Sequence, residues 1–480
     1  MALPTDPLGW AQYLSVILAS EQNRLQLLDD EYEMEAPRAY MHPDLVQELG
    51  DRIEQVVIAW PQLVVDSVEE RLEVEGFRLP DADDADVEMW RVWQANGMDE
   101  ESQLGRVDAL VMGRSYLAVG ANEDDTSTPL VTVESPLEVY ADVDPRTRKV
   151  RAALRRYSDE ATIVRPREDY ATLYLPNETI YYDIGKDWKE TGRDEHKLGE
   201  VPLIPLVNRG RLSSRSRRQL TVSGRLGRSE LDPILPLARA ANKIATDMMV
   251  ASEGVAIPLR GLWGIGPDDL EDQDGNKLTA MQAILGKLLM LPVEGGREFQ
   301  FPAADLSNFH KTINQLAHLV ASIAGLPSDY LGLTTENPPS AESRRAGEIR
   351  LIKRCERKQV PFGGAYEHTQ RVIRRFQDGG GPVDKRLRSL ETIWRDPATP
   401  TVAAMADAAV KLRAEGISTL RQAREDVRYS QGQIRRMEKE DEQEARRQAQ
   451  TVFGVKPDES AGEPAPAAGE PGRQTGNQVA

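Results

Sequence analysis

The N-terminal quarter of the chain shows the helical period of apolar and polar residues. Five segments carry this period, and they are 8–36, 44–60, 63–75, 87–96 and 101–112. Pro61 is predicted to end the second helix and Gly76 the third, because proline cannot continue a helix and glycine is common just past a helix end. The first part of the fold is therefore predicted to be mainly helical.

Between residues 115 and 207 the helical period gives way to alternation. Short runs rich in β-branched and aromatic residues predict strands at 115–120, 131–134, 150–157, 161–165, 170–175, 179–184 and, broken by proline, 201–207. Turn signals such as Asp144-Pro145 separate these runs. They predict a small, mostly antiparallel β region inserted in a helical protein. The basic, Ser-rich stretch 209–228 is predicted to be a loop.

Helical periodicity returns in the second half of the chain. The predicted helices are 231–252, 306–324, 340–377, 401–415, 419–426 and 431–450. Residues 254–302 combine Gly, Pro and short apolar runs around an acidic turn, 268–274, which predicts a compact α/β module. Residues 394–397 are predicted to form a short turn, and 457–480 to be disordered because they contain almost no large apolar side chain. The predicted fold class is α+β.

Charge and cysteine content narrow the classes of function. The formal charge of −18 in 480 residues argues against simple wrapping of nucleic acid, which needs clustered Lys and Arg. Cys355 is the single cysteine, which excludes an intramolecular disulfide and a CxxC site. The first residues lack a basic n-region, and no window of about 18 apolar residues exists. We therefore expect a soluble protein, made inside the cell and without membrane contact.

Catalytic motifs are missing from the sequence. It contains no GxxxxGK[ST], no HExxH and no GxSxG. His310 and His318 lie eight residues apart, and partly exposed helical histidines explain them better than a metal site. We predict no catalytic residue, no metal site and no cofactor, and the chain is not expected to be an enzyme. An enzyme that acts on nucleic acid remains the less favoured alternative.

One stretch, 326–358, favours a structural role. Tyr330-Leu331-Gly332 is followed by a polar loop, by two prolines that oppose helix, and by Ser340-Ala341-Glu342 at the start of a long charged helix. Similar phrases occur in order at 60–77, 93–99, 110–120, 140–157, 201–209 and 394–397. The ordered set resembles the portal proteins of tailed bacteriophages, of the actinobacterial siphophage type, over roughly residues 10–450.

The resemblance implies a portal fold with a helical and β wing, a two-helix stem, a small α/β clip, a long helix after the tunnel loop and a helical crown. The implied segments are 1–228 (wing), 229–253 (first stem helix), 254–302 (clip), 303–326 (second stem helix), 327–339 (tunnel loop), 340–393 (long wing-spanning helix), 394–452 (crown) and 453–480 (disordered tail). All of these boundaries are expectations from the resemblance.

The resemblance also implies a function. Portal proteins form a ring, usually of twelve subunits, that is a channel for double-stranded DNA at one capsid vertex during genome packaging and ejection. The implied partners are the terminase large subunit, the major capsid and scaffolding proteins, and later the head–tail connector. The protein would be in the host cytoplasm during assembly and then in the virion. A non-ring minor head or scaffolding protein is the alternative.

Candidate site residues follow from the same resemblance. Those at the tip of the tunnel loop are Thr334, Thr335, Glu336 and Asn337, and candidate DNA-channel contacts are Lys287, Lys311, Arg344 and Arg345. Ordinary solvated side chains are the preferred interpretation for the two lysines. The basic run 344–358 either contacts DNA or, as the preferred alternative, pairs with acidic wing surfaces of neighbouring subunits. The basic stretch 209–228 is equally compatible with contact to phosphate and with a flexible loop that lies against an acidic neighbour.

Overall fold

The computed structural model divides into two compact units, residues 1–398 and 399–480. It describes residues 3–35, 56–82, 84–159, 168–185, 187–211, 227–255, 260–263, 288–291, 298–300, 306–332, 341–381, 383–398, 402–427, 429 and 431–453. The predicted strand 161–165, the acidic turn 268–274 and the predicted disordered residues 457–480 lie outside this range.

The described helices are α1 (Pro7–Tyr32), α2 (Trp60–Glu69), α3 (Val87–Ala95), α4 (Met98–Met112), α5 (Leu235–Val255), α6 (Ser307–Ala324), α7 (Ala341–Gln377), α8 (Val402–Ala414), α9 (Leu420–Asp426) and α10 (Gln431–Phe453). The described strands are β1 (Val74–Arg78), β2 (Arg114–Gly120), β3 (Leu130–Glu134), β4 (Val139–Val143), β5 (Val150–Asp159), β6 (Glu168–Tyr174), β7 (Thr179–Asp183), β8 (Lys189–Asp194), β9 (Leu203–Val207), β10 (Arg260–Trp263), β11 (Leu288–Leu291), β12 (Glu298–Gln300) and β13 (Glu391–Trp394). The mixture confirms the predicted α+β class.

The prediction for Pro61 was wrong. Val56–Ala59 is not helical, and Pro61 lies in the first turn of α2 instead of ending a helix before it. The first-turn amides have no partner inside a helix, so a proline there loses nothing and its fixed φ suits the turn. The remaining part of the predicted helix 44–60, up to residue 55, lies outside the described residues.

The prediction for Gly76 was also wrong. Helix α2 ends at Glu69, and Gly76 lies inside strand β1, which pairs antiparallel with β13. The register shifts between Val74 and Gly76, which is an irregularity that glycine accommodates easily. Phe77 on the same strand is fully buried. Residues 394–397, predicted as a turn, therefore begin with the last residue of a strand.

Two antiparallel sheets form the β region. The three-stranded sheet has the order β3–β2–β9, and the five-stranded sheet has the order β4–β5–β6–β7–β8. The strands predicted at 115–120, 131–134, 150–157, 170–175, 179–184 and 201–207 are confirmed. The sequence did not predict β4 or β8. Strand β8, KETGRD, has no apolar alternation and lies at the sheet edge, where it pairs with β7 through the backbone.

Helix α1 covers the five-stranded sheet. Leu14 and Leu18 pack with Leu154, Leu173 and Ile180 in one apolar cluster. The helix begins where Asp6 caps it, since the Asp6 carboxylate accepts a hydrogen bond from the Gly9 amide at 2.9 Å. The apolar cluster ties the N-terminal helix to the β region.

The rest of the large unit is built on α5, α6 and α7. Helices α5 and α6 pack against each other. In the chain they bracket a three-stranded sheet in which β10 lies between β11 and β12. The helices predicted at 231–252, 306–324 and 340–377 are confirmed, although α5 begins at Leu235, after a turn. Helix α7 runs through Pro361 without a break.

The C-terminal unit is helical over its described residues, as predicted. Thr419 caps α9 by accepting from the Gln422 amide at 3.1 Å. Arg424 of α9 lies 2.7 Å from Asp441 of α10, which joins the two helices. Among the described parts of the whole chain, no helix is both long and apolar enough to cross a membrane.

Candidate functional site

The long helix α7 organises the site, and a set of charged side chains holds its N-terminal part. Arg71 Nη2 donates to Tyr330 Oη at 2.9 Å, and Tyr330 Oη donates to Glu348 Oε1 of α7 at 3.2 Å. Arg71 Nη1 also donates to the carbonyl of Pro397 at 2.8 Å. Arg71, which follows α2, therefore contacts both Tyr330 in the turn after α6 and, through it, Glu348 of α7. Tyr330 lies directly before residues 333–340.

Further along α7, a buried carboxylate collects several donors. Glu230, which precedes α5, has a side chain only 1% exposed and forms ion pairs with Lys358 and Arg354 of α7. Lys358 Nζ also donates to Asn208 Oδ1 at 2.6 Å, and Asn208 Nδ2 donates to Glu230 Oε1 at 3.1 Å. Arg209 Nη1 lies 3.5 Å from Glu230 Oε2. We name these five residues the Glu230 cluster.

The electrostatics of the Glu230 cluster keep the Glu230 carboxylate charged. Burial alone would raise the pKa of Glu230, but the charges of Lys358 and Arg354 outweigh it and lower this pKa to about 2. Burial lowers the pKa of Lys358 from its ordinary value, against the attraction of Glu230. A carboxylate with such a low pKa remains ionised at neutral pH, so the pair is ionic.

The Glu230 cluster forms the floor of an open cleft of about 960 Å³, which we name the basic cleft. Its walls are 207–211 after β9, 228–233 before α5, the end of α6 and residues 350–361 of α7. The cationic residues that line it are Arg209, Arg211, Arg228, Arg350, Lys353, Arg354, Arg357 and Lys358. Glu230 is the one acidic residue among the described lining, so a large positive surplus remains.

Some of these cations have partners and some do not. Lys353 Nζ donates to Glu356 Oε2 at 2.6 Å, and Arg350 Nη1 donates to the Ser322 carbonyl at 2.7 Å. Within the part of the chain that the structure describes, the side chains of Arg211, Arg228 and Arg357 make no hydrogen bond or ion pair. Arg211 and Arg357 are exposed and Arg228 is half-buried, so an anionic ligand in the cleft can reach these three residues.

Comparison with known proteins decides the family. Residues 13–447 match the family model described as "Phage portal protein, SPP1 Gp6-like". The portal protein of Mycobacterium phage D29 is 41% identical over 399 residues, covering 81% of this chain and 79% of that protein. The chain belongs to the phage portal protein family. The portal protein of Mycobacterium phage L5 is 40% identical over the same length and coverage.

Solved structures of gene transfer agent particles also align with this portal protein. The neck of an empty particle gives a TM-score of 0.43 at 13% identity, covering 82% of this chain and 95% of that chain. A chain in the virion of the native particle gives 0.41 at 14% identity, covering 84% and 98%.

Family membership confirms the resemblance that the sequence suggested. The chain is a phage portal protein, a structural component of the virion and not an enzyme. It belongs to a family that assembles as an oligomeric ring. The nucleic-acid enzyme and the non-ring head or scaffolding protein are thereby set aside.

The structure places few of the site residues that the sequence suggested for the portal. Those outside the described residues are Lys287, Thr334, Thr335, Glu336 and Asn337. Arg344 and Arg345 lie in the first turns of α7, where only the backbone is described. Lys311 is exposed on α6 and is not among the described residues that line the basic cleft. All eight remain predictions.

The preferred interpretation of the basic run on α7 needs correction at two positions and stays a prediction for the others. Arg354 and Lys358 were expected to pair with acidic surfaces of neighbouring subunits, but both pair with Glu230 of the same chain. Sequence reasoning missed Glu230, Asn208 and Arg209 as partners. The available signal was Glu230 itself, the first acid after the stretch 209–228, which is basic and contains no acidic residue.

Cys355 has a structural role. It is fully buried on the inner face of α7, and burial raises the pKa of its thiol to about 11. The thiol therefore stays protonated and unreactive at neutral pH, and Cys355 serves as a packing residue.

The C-terminal part of α7 is held by a second ionic group. Glu200 accepts from Arg375 Nη1 at 2.5 Å and lies 3.3 Å from His368 Nε2. The hydrogen bond to His368 and, against the opposing effect of burial, that to Arg375 lower the pKa of Glu200 to about 2. The loop before β9 is thereby fastened to the helix near its end.

Proposed function

We propose that copies of this chain, usually twelve in such proteins, close into a ring at one capsid vertex and that double-stranded DNA passes through the ring during packaging and ejection. The observation that carries the proposal is the family match over residues 13–447. The net charge of −18 per copy supports it, because an acidic conduit repels phosphate and lets DNA move.

We propose that different segments of the chain form the wing, stem, clip and crown of the portal. Residues 1–228 form the wing that meets capsid and scaffolding proteins, α5 and α6 form the stem, and residues 254–302 form the clip that docks the terminase large subunit and later the head–tail connector. The packing of α5 against α6 supports the stem, and the small sheet of β10, β11 and β12 between them in the chain supports the clip. Residues 394–452 form the crown.

The tunnel loop carries Thr334, Thr335, Glu336 and Asn337 in this proposal. The contacts of Tyr330 with Arg71 and Glu348 support it, because they fix the chain just before the loop, and the loop leads directly into α7. A loop held on both sides by anchored chain can present its tip to DNA without moving the wing.

Negative-stain electron microscopy and native mass spectrometry of the purified protein test the ring. We expect a turbine-shaped particle with a central hole and a mass near twelve copies. A protein that stays a monomer or dimer under conditions that favour assembly would contradict the proposal.

Packaging measured in vitro tests the tunnel loop. Replacing residues 334–337 by Gly and Ser is expected to leave the ring intact and to reduce the amount of DNA packaged. The matched control makes the same replacement at 123–126, which are mostly exposed and lie between β2 and β3. Equal packaging by the two variants would remove residues 334–337 from the proposal.

A further inference from the structure

The basic cleft has more cationic side chains than its one acidic lining residue, Glu230, can neutralise. Glu230 is already neutralised by Lys358 and Arg354, yet Arg211, Arg228 and Arg357 remain without an ionic partner among the described residues. In addition, Arg354 Nη1 is buried and has no hydrogen-bond partner there. A cleft with this surplus of positive charge attracts an anionic ligand.

The backbone that presents Arg228 and Arg357 is fixed. The Arg228 amide donates to the Asn208 carbonyl at 2.9 Å, and the Arg228 carbonyl accepts from Asn208 Nδ2 at 2.8 Å. The preceding Gly227 has φ of +92° and lies against Gly113 so closely that a Cβ would meet backbone atoms. Arg357 comes from α7, between Arg354 and Lys358. Less ordering is therefore needed when a ligand binds.

The chemistry of the free groups favours phosphate. All three are guanidinium groups, whose planar forks match phosphate oxygens in a bidentate way, and they do not lose their charge at any physiological pH. The sequence between Arg211 and Arg228 adds four more arginines and no acidic residue. An acidic peptide would meet the same charge, but a chain through which DNA passes has a phosphodiester polyanion as its constant neighbour.

We propose that the basic cleft binds the phosphodiester backbone of double-stranded DNA through Arg211, Arg228 and Arg357. The inference rests on the proposed function, because it takes the DNA in the channel as the ligand. The cleft is a local positive contact on an otherwise acidic ring. Phosphate contacts of this kind fix position without reading sequence, so any DNA sequence is bound alike.

The test is the salt dependence of DNA binding by the assembled ring, measured by fluorescence anisotropy with a short labelled duplex. The variant is the triple substitution Arg211→Gln, Arg228→Gln and Arg357→Gln. The matched control is Lys149→Gln, Lys385→Gln and Arg388→Gln, which removes the same charge from exposed positions outside the cleft. The slope of log K against log salt falls in magnitude by about 0.9 for each phosphate that the protein no longer neutralises.

We expect the slope of the cleft variant to be smaller by up to about 2.7, as three phosphates predict, and the control to keep the wild-type slope. Equal slopes for the two variants, or a wild-type ring that does not bind the duplex, would overturn the assignment. A cleft variant that is folded by circular dichroism but no longer forms rings would overturn it as well, and would place an acidic segment of a neighbouring copy in the cleft. Absence of a wild-type ring is the separate result that contradicts the proposed function.

Discussion

The two halves of α7 are held in place by different physical interactions. Residues 348–358, the ionic half, are fixed by buried charges around Glu230 and by the Arg71–Tyr330–Glu348 contacts. Residues 362–376, the aromatic half, are fixed mainly by packing, with Phe362 and Tyr366 fully buried. Pro361, which removes one backbone hydrogen bond from the helix, lies at the border.

The aromatic half is the source of most of the apolar burial. The ring of Tyr366 lies 5.2 Å from that of Trp93 and 5.9 Å from that of Trp394, so α3 and β13 both pack on the helix. The ionic half contributes less stability, because the dehydration of buried charges offsets most of their attraction. The comparison teaches that one half of α7 stabilises the fold, while the other determines the position of a charged cleft.

Glu230→Gln shares the largest expected effect with Phe362→Ala, because it leaves the buried Lys358 and the partly buried Arg354 without a countercharge. Breaking a buried pair in this way destabilises by about 3 to 5 kcal/mol. The urea denaturation curve at neutral pH measures the change. Phe362→Ala, in the aromatic half, is the matched comparison, and it is expected to cost about 3 to 5 kcal/mol through the cavity it leaves. A destabilisation below about 1 kcal/mol for Glu230→Gln would show that water reaches the cluster.

The pH dependence of the same variants separates the two halves. The pKa of Glu230 falls from an ordinary value of 4.5 to about 2 on folding, so its contribution is complete above pH 4.5 and is lost as the pH falls towards 2. The stability difference between wild type and Glu230→Gln should therefore shrink by about 3 kcal/mol over that interval. The difference between wild type and Phe362→Ala should stay constant, and a parallel decline of both would contradict this account.

Tyr366→Phe is expected to have an intermediate effect, because it removes a hydroxyl that makes a buried polar contact in the aromatic half. Tyr366 Oη lies 3.3 Å from Nη1 of the buried Arg106, which also binds Glu69 and Ser102. Removing the hydroxyl should cost about 1 to 2 kcal/mol, seen as a lower urea midpoint. An unchanged midpoint would mean that Glu69 and Ser102 alone satisfy Arg106.

Lys353→Ala is expected to have the smallest effect. Its ion pair with Glu356 spans about one helical turn, and the two side chains are 68% and 42% exposed. Exposed pairs of this type contribute within about 0.5 kcal/mol. A larger drop in stability would show that the ionic half depends on its surface pairs as well as on its buried ones.

Local sequence patterns predicted the helices and most strands, because the residues that determine each of these elements lie within the element itself. The period of α1, α6 and α7 is present in each segment by itself, as is the β-type composition of β2 and β5. The predictions for Pro61 and Gly76 failed for two different reasons. Proline is compatible with a first helical turn, and Gly76 takes its conformation from a partner strand far along the chain.

The basic cleft could be predicted only in part. The arginines of α7 and of the stretch 209–228 are plain in the sequence, and so is their excess charge. The sequence does not show their partners, because Glu230 and Lys358 are 128 residues apart and Asn208 and Lys358 are 150 apart. Only the fold shows which arginines are neutralised and which, such as Arg357, have no ionic partner among the described residues.

The pairing of β1 with β13 has a consequence for how the protein is made. Arg78 and Glu391 are 313 residues apart, so the second strand leaves the ribosome long after the first. At a synthesis rate of about 5 to 20 residues per second, the first strand waits roughly 15 to 60 seconds for its partner. Throughout that time Phe77 lacks the strand beside it, and a nascent chain in this state is the form of the protein most exposed to chaperones and to premature contact with other copies.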